Sequence, residues 1–145
     1  VLVRLGKTLG DGDSEELAKG VDTIKKSLAL LVERVAKLNA ERDDIDIFEF
    51  SKRIDAQCIE PINDFVEARE TMIPRFGLPS YARLMDHFAL GERALNRAWC
   101  AAADGYIDEL HLCLDRAQAS LTAALSVIDN ELDTADKSDK SDKSA

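Results

Sequence analysis

The stretch from Leu17 to Leu38 reads LAKGVDTIKKSLALLVERVAKL. Its apolar residues Leu17, Val21, Ile24, Leu28, Leu31, Val35 and Leu38 follow one another in steps of four and three. Such steps put side chains on one stripe of a helix, because a helix turns once in 3.6 residues and a strand alternates every two. Upstream, Asp13 stands three residues before Glu16, the spacing of a capping box, and acids crowd the first turn where the helix dipole favours them. The pattern predicts a helix over 14–40, ended by the polar run Glu41-Arg42-Asp43-Asp44. Leu, Val and Ile alternate along this seam in a way that also suits a dimeric coiled coil.

Three further seams follow. Asp46, with Glu49 three residues on, opens a stripe of Ile47, Ser51, Ile54, Cys58, Pro61, Phe65, Ala68 and Met72, widened by Phe50, Ile62 and Val66. It predicts a helix over 47–73. Pro61 removes one hydrogen bond, to the carbonyl of Gln57, and predicts a kink there without loss of phase. Pro74 to Pro79 reads as a loop and Ser80 as the cap of a third helix over 80–103, with Tyr81, Leu84, Phe88, Gly91, Leu95, Ala98 and Ala102 on its seam and Met85 and Trp99 beside it. Gly105 is its expected left-handed cap. The fourth helix, over 106–132, carries Ile107, Leu110, Leu114, Ala117, Leu121, Ala124 and Ile128.

Short connections between helices of similar length imply antiparallel neighbours. The expected fold is all-α, an antiparallel up-down-up-down four-helix bundle over 1–132. Residues 133–145, a triplet repeat of Asp, Lys and Ser without an apolar face, are expected as a disordered C-terminal tail. Leu2, Leu5 and Leu9 are expected to form a short helical piece that caps the bundle.

Composition narrows the function. The 145 residues suit one domain. Twenty-eight acids against 19 Lys and Arg give a net charge of −9, which repels phosphate backbones and argues against nucleic acid as a partner. No run reaches the roughly 18–20 apolar residues that span a bilayer, so no membrane role is expected. The three cysteines, Cys58, Cys100 and Cys113, are odd in number and form no CxxC pair, which fits a reducing compartment and predicts a cytoplasmic protein. They read as small core hydrophobes, with Cys100 and Cys113 the one pair near enough in the predicted hairpin to consider for redox chemistry. Val1 stands where an initiator Met is usual, which suggests a processed chain or a helical domain of a longer one, serving dimerisation or signal relay.

Catalytic constellations are scarce. A carboxylate di-metal bundle needs Glu-x-x-His on two helices, and neither His87 nor His111 has Glu three residues before it. Glu60, Asp64, His87 and His111 remain as weak metal candidates, with no metal or cofactor expected. Acids beside a seam mostly form a solvated face, and both histidines read as boundary residues. Gly10-Asp11-Gly12-Asp13 is too acidic for a phosphate loop. The most unusual stretch is Leu90 to Trp99, where Gly91 falls on the seam itself although glycine in a helix costs about 1 kcal/mol against alanine. Either two helices cross closely there, or Gly91, Glu92, Asn96 and Trp99 line a small cavity, with Arg93 and Arg97 one turn apart for an anion or a partner's carboxylates. Leu30, Ile59, Leu90, Leu112 and Val127 lie off the seams and would mark an interface if they cluster.

The segment from Trp99 through Gly105 to Ala117 resembles one helical hairpin of a tetratricopeptide repeat, with a glycine turn followed by an alanine-rich helix. Leu110 stands where alanine is usual, and no second copy follows at the 34-residue period. The resemblance implies a helical hairpin and carries no function.

These readings favour a non-enzymatic protein–protein interaction or regulatory module, self-associating as a homodimer or binding another protein. Gly91, Glu92, Arg93, Asn96, Arg97 and Trp99 are its candidate partner-binding residues. The alternative is a bundle that binds a small molecule or metal, with enzymatic activity, through polar groups near Gly91.

Overall fold

A computed structural model describes residues 11–143, with side chains for 14–141. The order is α1 (Asp11–Ala40), α2 (Ile47–Ala68), a 3-10 turn (Arg69–Thr71), the short α3 (Met72–Phe76), α4 (Leu78–Asp104) and α5 (Ile107–Lys143). There is no strand among the described residues. The expected helical piece through Leu2, Leu5 and Leu9 lies outside them.

The four long helices form the expected bundle. α1 packs on α2 and α5, and α4 packs on α5 and α2, so sequence neighbours are spatial neighbours and the first helix closes on the last. Ion pairs fix the direction. Lys25 meets Asp129 at 3.3 Å and Arg42 meets Asp115 at 3.1 Å, so position rises in α1 as it falls in α5. Arg83–Glu131 and Arg97–Glu109 show the same for α4 and α5. Exposed pairs of this kind contribute little stability, but they report register.

The seams are the core. Val21, Ile24, Leu28, Leu31, Val35 and Leu38 are buried on α1, and Ile54, Cys58, Pro61 and Phe65 on α2. Leu84, Phe88, Leu95, Ala98 and Ala102 on α4 meet Leu110, Leu114, Ala117, Leu121, Ala124 and Ile128 on α5. Phe65 and Phe88 stack across the α2–α4 joint, with centroids 4.0 Å apart. Ile107 departs from its seam and is 52 % exposed, because it is the first residue after the α4–α5 turn.

Two caps follow the sequence reading. Asp46 accepts from the Phe48 amide at 2.9 Å and starts α2. Gly105 ends α4 at φ +79°; its N–H donates to the Ala102 carbonyl and that of Tyr106 to Ala101, the two bonds of a Schellman cap. Other boundaries differ. α1 opens at Asp11, which places Asp13 inside its first turn. The segment expected as a Pro74–Pro79 loop is α3, a single turn residue and the start of α4. Gly77, at φ +93°, makes that turn alone, and both prolines fall in first helical turns, where a missing N–H is harmless. Ser80 is therefore no cap. It is buried within α4, donates to Glu131 Oε1 at 2.7 Å and accepts from Arg83.

α5 is helical through much of the stretch read as a tail, as far as Lys143. Beyond Leu132 the described side chains are exposed except half-buried Ala135, so these residues stand outside the core, as their lack of an apolar face requires. Local charge supports the helical backbone: Asp133 and Asp136 each stand four residues before a lysine, Lys137 and Lys140. Such a pair contributes about 0.2–0.5 kcal/mol.

α2 runs unbroken through Pro61. The Gln57 carbonyl, left without its helical donor, accepts instead from Arg34 Nη1 of α1 at 2.9 Å. A defect in one helix thus becomes a bond between two. Arg34→Met is expected to lower stability by about 1–2 kcal/mol in urea unfolding, because a partly buried carbonyl loses its partner. In a Pro61→Ala background, where the position 61 amide can reach Gln57, the same substitution should cost about 1 kcal/mol less. Equal costs in both backgrounds would refute the link.

Candidate functional site

The candidate residues around Gly91 do not converge. Gly91 is buried, and a Cβ there would lie 2.6 Å from Leu121 Cγ and 2.7 Å from its Cδ2. Leu121 of α5 fills the space beside the glycine, so the geometry is that of a close helix crossing. Arg97 turns to the same flank and pairs with Glu109 of α5 at 3.4 Å. Arg93 is exposed on the outer side. Glu92, Asn96 and Trp99 lie on the opposite flank of α4, toward α2. Two of the group therefore belong to the α4–α5 joint, three to the α2–α4 joint and Arg93 to neither.

The weak metal candidates are also separated. Glu60 and Asp64 are exposed on α2, and Asp64 borders a cleft of about 250 Å³ with Thr23, Lys26, Ser27 and Leu30 of α1. His87 is half-buried on α4. His111 sits at the other end of the bundle, its Nε2 3.9 Å from Asp43. Among the described residues no group of three or more His, Cys, Asp or Glu side chains is placed to hold an ion.

All three cysteines are free thiols. Burial pushes the Cys58 thiol up to about 12, which leaves it protonated and inert. Cys113 is buried beneath Glu109, to which its thiol donates at 3.5 Å; burial and that bond both raise it. Cys100 is exposed.

One surface does stand out. α2 turns Arg53 and Gln57 toward α1, where they share a small cleft with Arg34, Lys37, Leu38 and Glu41. On its other flank lie Phe48, Asp55, Ile59, Ile62 and Val66, in steps of seven, four, three and four. α4 answers with Tyr81 and with the row Met85, Glu92 and Trp99, seven residues apart, on the flank away from Arg83 and Arg97. Phe48 lies at the far end of α4, its ring 3.3 Å from where a Cβ of Gly105 would be. The apolar residues of this joint stay partly uncovered: Phe48 is 62 % exposed, Ile59 51 % and Trp99 38 %. Ile62, Val66, Tyr81 and Met85 are half-buried against the core. Over Phe48 to Val66 the strip runs about 27 Å along α2.

Sequence reading found parts of this strip, in Trp99 and Ile59, and missed Phe48, whose row is interrupted by Asp55. The other off-seam residues do not join it. Leu30 faces the α1–α2 cleft, and Leu90 stands in the row of Arg83 and Arg97. Comparison with protein-family models, curated proteins and solved structures finds no match.

Two substitutions separate core from surface. Gly91→Leu is expected to lower the unfolding free energy by about 1–3 kcal/mol through overpacking against Leu121. Ile59→Ser, on the strip, should change it by less than about 0.5 kcal/mol. Urea unfolding of both variants checks this, and a Gly91→Leu protein as stable as the parent would refute the close crossing.

Proposed function

We propose that the chain is a non-enzymatic helical-bundle module that binds a protein, another chain or a second copy of itself, through the α2–α4 face. The observation that carries this is the set of uncovered apolar side chains, Phe48, Ile59 and Trp99, along the α2–α4 joint. Phe48, Ile59 and Trp99 stand on two packed helices, so a partner would meet a preformed surface with little ordering cost. Apolar exposure gathered on one face marks interaction sites, whereas scattered single residues do not.

Charge and thiols support the setting. A net charge of −9 disfavours nucleic acid, and three free cysteines fit a reducing compartment such as the cytoplasm. No helix among the described residues is long and apolar enough to cross a membrane. The ligand- or metal-binding alternative draws no support from the arrangement of Glu60, Asp64, His87 and His111.

The test is photo-crosslinking in cells of the source. A photoreactive residue at position 59 is expected to give a defined crosslinked protein band, and one at Arg116, exposed on α5, is expected to give none. No band at 59, or equal bands at both positions, would overturn the assignment of the face. Native mass spectrometry of the purified chain provides a second check: a stoichiometric small molecule or metal ion would overturn the non-enzymatic reading.

A further inference from the structure

The strip carries charge as well as apolar surface. Asp55 on α2 and Glu92 on α4 stand within its two rows without a cation within ion-pair distance. Lys52, the cation on this flank of α2, is held by Glu49 at 3.6 Å. The next cation on α4, Arg93, is one residue further round the helix from Glu92, toward solvent. An apolar strip along two helices, about 27 Å long and interrupted by unpaired carboxylates, matches a helix whose apolar stripe is accompanied by basic side chains.

A second copy of this chain fits less well. Two such faces brought together would set Asp55 and Glu92 against their own kind, in a chain that already carries −9. Juxtaposed like charges oppose association, and opposite charges steer it. Resting on the interaction reading above, we infer that the α2–α4 face takes a basic amphipathic helix from another protein. The apolar stripe of that helix lies over Ile59, Ile62, Val66 and Trp99, and its Lys or Arg side chains reach Asp55 and Glu92.

Trp99 is the single tryptophan and lies on the strip, so its emission reports occupancy. The experiment titrates the full chain with two synthetic 18-residue helices that share leucines at three-four spacing, one flanked by Lys and Arg, the other by Glu. The basic peptide is expected to shift Trp99 emission to the blue and to bind at least about tenfold tighter than the acidic one, with affinity falling as salt rises. Ile59→Ser should weaken the basic peptide about tenfold, a loss of about 1.4 kcal/mol. Leu112→Ser, on the outer side of α5, should not weaken it. Asp55→Lys combined with Glu92→Lys should reverse the preference between the peptides.

Equal binding of both peptides, or equal loss in the Ile59 and Leu112 variants, would overturn the inference. So would a chain that sediments as a dimer and becomes monomeric with Ile59→Ser, a result that makes a second copy the occupant and leaves the interaction reading standing. If neither peptide binds while position 59 crosslinks a protein in cells, the basic helix alone is refuted. If neither peptide binds and position 59 crosslinks nothing, both readings fall.

Discussion

The close approach of α4 and α5 at Gly91 and Leu121 sets the geometry of the bundle. Gly91 puts no side chain of α4 between the helices, so Leu121 packs directly on its backbone, and Ala94, Ala98, Ala101 and Ala102 of α4 and Ala117 and Ala124 of α5 are buried as well. Small residues let backbones come near, and the Schellman turn at Gly105 holds the hairpin with two residues, Gly105 and Tyr106, between the helices. A pair packed this tightly presents a fixed two-helix platform. α1 packs on α5, α2 packs on α1, and the α2–α4 joint completes the ring. Large residues fill its depth, where Phe65 stacks on Phe88, and more large residues stand at its rim. The uncovered strip is thus what remains when a narrow pair and a wide pair are closed into one ring.

Polar bonds decide how the ring is locked. At one end Asn39 donates to Asp115 and Gln118, and Arg42 donates to Asn39, Asp115 and the His111 carbonyl, which ties the end of α1 to the start of α5. At the other, buried Ser80 with Arg83 holds Glu131. Between them Arg34 reaches the carbonyl that Pro61 leaves open. None of these joins α2 to α4. That joint relies on apolar contact alone, which is non-directional and tolerates a further helix laid along it.

The heptad steps made the four helices and nearly all of their buried faces legible, because burial of a stripe follows directly from its period. Asp46 and Gly105 were legible because their roles are local. Ser80 misled because its hydroxyl looks like a cap until Gly77, two residues before Pro79, is seen to turn the chain in one step; the serine then falls inside the helix and serves Glu131. The role of Gly91 was undecided between crossing and cavity, since the answer depends on which residue of another helix arrives there. The strip was half legible for the same reason. Trp99 and Ile59 lie off their own seams, but that they flank one joint depends on the antiparallel register of α2 and α4, which Phe65 and Phe88 set. Arg34 was not connected to Pro61 in the sequence because the bond joins Arg34 to Gln57, residues 23 positions apart on different helices.

Folding alone does not call for the strip. A Phe at position 48 that is 62 % exposed and a Trp at 99 that is 38 % exposed gain only part of the burial that justifies so large a side chain. A polar residue would serve the monomer there as well, and Asn96, next on the same flank, shows that the helix accepts one. The carboxylates tell the same story from the other side. The acids that bridge α5 to its neighbours, Asp115, Glu131, Asp129 and Glu109, each have a cation within 4 Å, whereas Asp55 and Glu92 on this face do not. Apolar surface left uncovered beside charge left unpaired describes one half of an amphipathic contact. Both features become favourable together only when a surface of opposite character, apolar at its centre and positive at its edges, is laid on them.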